Sequence, residues 1–592
     1  MTYRSASKLI LPLLGLLVAT CWQLSLAAPL PDKLESSLPT AIKTIIADQK
    51  HPYLKQQNFQ YLAEQLNDLY KTNDYQPVWL GRQLSDKQIQ DVFAVLESAA
   101  INGLRSTDYD VENLKQRGMA FTHATKPDAG ETALFDTALS LVLLRFSQHL
   151  HYGRVNPQAF NFNVKPDAKK RMDMPAFIRA HINHDDLANI PALLEPSLWQ
   201  YHELWQALGK YRSLTNSVKP FTFAYQKTIH PGEMLPQVNE LQHYLNRLGD
   251  LPEADAAQTT ADSTVYQGVL VEAVKRFQYR HGLSPDGVIG KATAAALTMP
   301  LNLRVQQIEL AMERLRWLPV IEATPLILVN IPAFELTAYH NFTRPDSGVL
   351  KMKVVVGKAL NHQTPVLLEQ MRFIDFLPYW NIPASIAKAE VVPDLDQDGN
   401  YLDKQEMELV SEFGNHIKAL PISDTTVAAF KAGLLKVRQR PGKKNPLGRI
   451  KFMFPNQYNV YLHDTSAGGL FAHSRRDFSH GCVRVEKPEL LAEFVLDGQD
   501  GWTQDSILQA MNGDKTQRVL LKKPVPVLFI YSSAAVDENK QLHFYQDIYG
   551  QDRLLIEALA KLQDWPIKDQ AAGLDQSQEA IMPDKKALSA DW

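Results

Sequence analysis

The apolar residues keep one spacing before Pro325 and another after it, and no single layer of structure serves both. Upstream they recur every three or four positions, as along one face of a helix: Ile89, Val92, Phe93 and Leu96, then Leu134, Ala138, Leu141 and Val142, then Trp199, Tyr201, Leu204 and Trp205. Downstream they alternate, with Leu350, Met352, Val354 and Val356 separated by Lys351 and Lys353 in the first half of the run, which is the period of a strand. At 592 residues the chain is also several times the usual length of one domain. The expected fold class is multidomain α+β. It comprises a helical scaffold domain over 28–220, a small three-helix module over 233–300 and a β-rich domain over 320–520. Within the last, 385–435 reads as an inserted helical subdomain able to cap a cleft.

Local signals mark the elements. Ser85-Asp86-Lys87-Gln88 is a capping-box pattern, and Gly103 and Gly153 stop helices. Leu235, Val238, Leu241, Leu245 and Leu248, then Leu270, Ala273, Val274 and Phe277, then 293–297 predict the three helices of the module, with a turn at Pro285-Asp286-Gly287. Strands are expected over 325–331, 334–340, 350–357, 371–376, 449–454 and 459–462. The segments 525–531 and 541–545 read as a hairpin, followed by a helix over 554–562, so that 521–565 is a C-terminal hairpin and helix. A polar, flexible tail over 566–592 ends the chain.

Residues 1–27 have the form of a secretory signal peptide: Arg4 and Lys8, an apolar run from Leu9 to Val18, and Ser25-Leu26-Ala27 as the cleavage site. Without them the net charge goes from −3 to −5, since they carry two cations and no acid. The alternative is an uncleaved membrane anchor, because 9–28 approaches the length that spans a bilayer, although Pro12 and Gln23 interrupt it. A negative net charge argues against a nucleic-acid partner. Export also gives the cysteines meaning. Cys21 lies in the signal, which leaves Cys482 alone in the mature chain with no internal disulfide available. A lone thiol in an oxidising compartment is either buried and inert or kept for its reactivity.

Its neighbours favour reactivity. Tyr461-Leu462-His463-Asp464-Thr465 is followed, fourteen residues on, by Ser479-His480-Gly481-Cys482-Val483-Arg484. An ordinary thiol is only a few per cent ionised near neutrality, so a nucleophilic cysteine needs an imidazole or another positive field beside it. Two histidines qualify. His480, two residues before Cys482, would share its face in an extended segment, and His463 ends a strand that can aim it at a neighbouring loop. Gly481 lets backbone approach closely, amides around Gly481 and Cys482 can donate to an oxyanion, and Arg484 offers a charge for a carboxylate.

Two resemblances extend this reading. Leu241-Gln242, 273–278, Gly282-Leu283, Asp286-Gly287 and 290–293 resemble a peptidoglycan-binding domain. His463, the sixteen-residue step to Ser479 and Ser-His-Gly-Cys-Val-Arg resemble the signature of L,D-transpeptidases with a YkuD-type catalytic domain. That likeness continues through 354–358, 363–365, 378–383, 438–442 and 445–448, in the order of the large Gram-negative subgroup. It implies that Cys482 is the nucleophile, that His463 is the general base and acid, and that the Asp464 carbonyl orients the imidazole. It also implies that Gly481 lies in the oxyanion region, with Ser479, His480 and Arg484 shaping the site. The implied reaction opens the bond between meso-diaminopimelate and terminal D-alanine of a peptidoglycan tetrapeptide stem. The acyl group then passes to a second diaminopimelate amine as a 3-3 cross-link, in the periplasm, with no metal, no cofactor and sensitivity to carbapenems. Stem peptides and glycan are the expected partners, with other wall synthases as further candidates.

Rival readings use the same residues. Water as acceptor gives an L,D-carboxypeptidase, a free amino acid gives D-amino-acid exchange, and a dead site gives a wall-binding scaffold. Zinc held by His463, His473, His480 and Cys482 is weighed because these are permitted ligands, but their spacing matches no metal motif. Asp394, Asp396 and Asp398 with Gly399 copy the start of a calcium loop, yet Gln405 stands where the bidentate acid belongs. Seven cations and no acid occupy 436–451, either as a solvated face or as a cleft wall that attracts carboxylates.

Overall fold

The structure is a computed structural model that describes residues 37–80, 86–123, 128–164, 171–256, 264–321, 325–343, 348–360, 362–414 and 417–561. The signal at 1–27 with Cys21, the Ser85 cap and the tail at 566–592 lie outside the described residues.

The N-terminal helices enclose one long helix, Ala129–Tyr152. Leu139, Leu141, Leu143, Leu144 and Phe146 face inward around its whole circumference, so helices on every side must cover it, among them Leu38–Asp48, Ala63–Lys71 and Met174–His184. A buried carboxylate needs donors. Asp136 has the amides of Val78, Trp79 and Leu80 and the Tyr70 hydroxyl at 2.5–3.0 Å, which staples the 78–80 loop to this helix.

Helices Trp199–Ser217 and Leu301–Arg316 belong instead to a second core, shared with the three-helix module and the β-rich domain. The module is built from Val238–Leu248, Val269–Arg280 and Lys291–Leu297. Gln278 ties its turn by donating to Asp286 Oδ1, the Val288 carbonyl and Thr293 Oγ1 at 2.9–3.1 Å. Arg280 forms a buried two-point ion pair with Asp250 and donates to the Tyr211 hydroxyl at 3.0 Å, fastening the module to the helix that contains Tyr211.

In chain order the strands past Pro325 are β1 Leu326–Asn330, β2 Glu335–Tyr339, β3 Val349–Gly357, β4 Leu367–Phe376, β5 Trp380–Asn381, β6 Met407–Val410, β7 Lys436–Gln439, β8 Ile450–Met453, β9 Leu462–His463, β10 Asp477–Ser479, β11 Val483–Val485, β12 Gln517–Ile530, β13 Ala534–Val536 and β14 Leu542–Phe544. The main sheet runs β10-β3-β11-β9-β8-β4-β12-β1-β2, and β2 also pairs with β3, so the ladder closes on itself. Closure leaves short β10 as the added edge strand and protects the rest.

The expected hairpin of 525–531 with 541–545 does not form. Val525, Val527, Leu528 and Phe529 belong to β12, which pairs antiparallel with β4 and parallel with β1, and the hairpin is β13 with β14. The reason is burial on both faces: these four residues are 0–3% exposed, a pattern of an interior strand rather than a hairpin arm. The inserted subdomain contains helix Asp424–Lys431 and a nearly continuous helical stretch over 384–397 that includes a π turn at Ala387–Val391. It also has a three-stranded sheet, β5-β7-β6, whose strands are too short for their period to show in the sequence. Ile382, Val391, Leu395, Leu402, Leu409 and Phe430 give it a core of its own.

Candidate active site

The site follows from register. Parallel β9 and β11 pair Leu462 with Val483 and His463 with Arg484, and the Val483 amide donates to the Tyr461 carbonyl at 3.0 Å. Strand side chains alternate, so Tyr461 and His463 share one face with Cys482 and Arg484. Antiparallel β8 sets Lys451 opposite His463, β4 sets Asp375 opposite Lys451, and β12 sets Arg518 opposite Asp375. A polar row thus crosses five strands from Arg484 to Arg518, with Cys482 beside its first two members.

The Cys482 thiol is half-buried and donates to the Asn459 carbonyl at 3.5 Å. Asn459 has φ +52°, one of the left-handed positions that asparagine tolerates. Tyr461 is electrostatically coupled to the thiol, and Lys451 Nζ lies 4.1 Å from the centroid of the Tyr461 ring. Burial pushes the thiol pKa up, while Tyr461, Lys451 and Arg484 pull it down.

His463 Nδ1 lies 2.5 Å from the Asp464 carbonyl. A carbonyl only accepts, so Nδ1 carries the hydrogen and Nε2 keeps its lone pair. Burial first, then Arg484 and Lys451, hold the imidazole pKa down at about 3, against the raising effect of the Asp464 and Pro446 carbonyls. The ring is therefore neutral at physiological pH. Asp464 is fixed in turn, because its carboxylate accepts from the Arg449 amide at 2.8 Å. Gly448 makes that approach possible: at φ +62°, a Cβ there would sit 2.4 Å from the carboxylate. Buried Asn445 shapes the same turn, donating to the Pro378 carbonyl and accepting from the Leu447 amide.

The loop bearing the thiol is pinned from several sides. Ser479 Oγ donates to the Cys482 carbonyl at 2.5 Å and accepts from the Gly481 amide at 3.1 Å. Thr364 Oγ1 donates to the Gly481 carbonyl at 2.8 Å and accepts from the Gly357 amide, and the Tyr549 hydroxyl binds both the Thr364 amide and the Gly357 carbonyl. The Gly481 amide is thus engaged within the loop, whereas the Cys482 amide is not. Gly481 has φ +121°, so 480–482 is a bend rather than the extended segment expected. His480 Nε2 reaches Glu390 Oε1 of the inserted subdomain at 3.0 Å and packs edge-on against the His362 ring. Arg484 has its Nε buried with no acceptor.

Other sequence candidates are dispersed. Among the described residues no group of three or more His, Cys, Asp or Glu side chains is arranged to hold a metal ion. Asp396 pairs with Lys431 and Asp398 with Lys404 in and after helix Val392–Gln397, so those acids serve the inserted subdomain. The basic run divides: Arg438 is buried against Glu408 at 2.9 Å, Lys436 lies over the Phe413 ring, and Lys451 reaches the thiol's surroundings. The sequence reading assigned no part to Tyr461, Lys451 on its own, Asn459 or Glu390. Only Tyr461 left a signal there, two residues from His463 on a strand.

Residues 324–515 match the family described as the L,D-transpeptidase catalytic domain. This segment is an L,D-transpeptidase domain. Residues 235–297 match a "Putative peptidoglycan binding domain" and 64–208 a scaffold domain. The chain is 32% identical over 248 residues to a Haemophilus influenzae protein named "Putative L,D-transpeptidase", a match covering 42% of this chain and 48% of that one. The chain therefore spans about half the length of the curated relative it matches. Every residue of the polar face from Asp375 to Cys482 lies inside the L,D-transpeptidase domain, and Arg518 lies just past its matched end.

Proposed function

We propose that this chain is a cysteine acyltransferase of peptidoglycan, an L,D-transpeptidase that forms 3-3 cross-links with Cys482 as nucleophile and His463 as general base and acid. The observation that carries the reading is the common face of β9 and β11, which puts the thiol on the same side of the sheet as an imidazole whose Nδ1–H is committed to the Asp464 carbonyl. Nε2 takes the thiol proton as Sγ attacks the carbonyl between meso-diaminopimelate and terminal D-alanine. The C–N bond then breaks, the proton passes to the leaving amine, and D-alanine departs from a thioester. The side-chain amine of a second diaminopimelate attacks that thioester, the C–S bond breaks, and the amine's proton returns to sulfur through His463. The Cys482 amide serves the developing oxyanion better than that of Gly481, which Ser479 already holds.

The matched peptidoglycan-binding fold supports the wall as the place of action, and the segment 1–27 supports export to the periplasm of a Gram-negative cell. A thiol that attacks strained amides in this setting also makes the domain a target for carbapenems. The test is incubation of the protein with disaccharide-tetrapeptide and mass analysis of the products, with Cys482→Ala as control. A cross-linked dimer with released D-alanine is expected. Tripeptide alone would assign a carboxypeptidase, and cross-linking by the alanine variant would end the assignment of Cys482.

A further inference from the structure

Two cations on the polar face have no carboxylate within ion-pair distance among the described residues. Lys451 has no carboxylate within ion-pair distance among the described residues; Asp375, its neighbour across the ladder, acts on it as a stabilising charge but is held at both oxygens by Arg518 at 2.8 and 3.1 Å. Arg484 likewise forms no ion pair among the described residues, and its Nε is buried without an acceptor. The two flank His463 on opposite sides in the sheet, and both lower the pKa of Cys482. Desolvated charge without a partner is costly, so such a pair fits an anion that arrives with the substrate.

The chemistry of the reaction names that anion. The residue released from the donor carries a free α-carboxylate, one residue beyond the carbonyl that Sγ attacks, and therefore about 4 Å away. We propose that Lys451, together with Arg484, receives the carboxylate of the donor's terminal residue. This rests on the reading of Cys482 as the nucleophile. It has a consequence for the base. Facing His463 are Arg484 from β11, Lys451 from β8, Tyr461 two residues before it and the carbonyls of Asp464 and Pro446, and the two charged groups that lower its proton affinity are both cations. A bound carboxylate offsets both, raising the proton affinity of the imidazole when the donor is in place.

The experiment compares, with the full chain, a disaccharide-tetrapeptide donor and the same donor with a terminal carboxamide. Thioester formation on Cys482 is followed by mass and the leaving group is quantified. The free acid should be preferred in kcat/KM by roughly 10- to 100-fold, the range of a charge-assisted contact. Lys451→Met should lose most of that preference by slowing the acid toward the amide, and Lys451→Arg should keep it. Equal rates for acid and amide with the unaltered protein overturn the proposal while leaving Cys482 as nucleophile, and so does an undiminished preference in Lys451→Met. If the methionine variant does not fold, the acid-to-amide ratio of the unaltered protein and of Lys451→Arg still decides. No thioester with either donor overturns the catalytic reading itself.

Discussion

Alkylation of Cys482 across pH tests the electrostatics of this site at its centre. Burial holds the thiol above its ordinary value and holds His463 at about 3. A thiol titrating no lower than an ordinary one is at most a few per cent ionised at pH 7, and an imidazole at about 3 carries its extra proton in roughly one molecule in ten thousand. The resting pair is therefore thiol and neutral imidazole rather than thiolate and imidazolium. The rate of reaction with iodoacetamide should climb about tenfold per pH unit from pH 6 to 8, and at pH 7 it should reach no more than a few per cent of its alkaline plateau. The readout is the mass of the proteolytic peptide containing Cys482, which keeps Cys21 out of the measurement. A plateau already established between pH 5 and 6, the behaviour of a preformed ion pair, would refute the argument.

Three further outcomes are expected. Tyr461→Phe removes a hydroxyl that helps to pull the thiol pKa down, and a loss on the scale of one polar interaction, about 0.5–1.5 kcal/mol, should slow cross-linking roughly 2- to 10-fold with the melting profile retained. Gly448→Ala forces a Cβ against the Asp464 carboxylate at a left-handed position, which should cost about 1–3 kcal/mol in urea unfolding and lower kcat through a misplaced His463. Acid should loosen both cores: His51 and His463 stay neutral when folded, each at about 3, while the unfolded chain protonates them near 6.5. Their contribution is complete above pH 6.5 and is lost as pH falls toward 3, at about 1.4 kcal/mol per unit for each. Urea midpoints that stay constant from pH 7 to 5 would contradict this.

Much of the fold could be read from periodicity. The N-terminal helices and the three-helix module announced themselves because their buried faces recur at helical spacing over several turns. The expected arm at 525–531 was misplaced because apolar residues on both faces say that a strand is interior without saying which strands flank it. Short β5, β6 and β7 escaped because two to four residues cannot display a period. In the site, Cys482, His463 and Ser479 stood out through residue type and spacing. Glu390 did not, since its role depends on the inserted subdomain folding back onto His480.

Residue chemistry and local order were sufficient to single out one thiol, its two candidate imidazoles and the division of the chain into helical and β-rich parts, because these depend on neighbours in sequence. Which imidazole shares a face with the sulfur, and which lysine of a seven-cation run stands beside it, depends on strand register. Register is settled by the packing of the whole closed sheet, and a slip of one residue would turn Lys451 and His463 to the opposite face. For that reason only the tertiary structure set Lys451 and Arg484 on either side of the base.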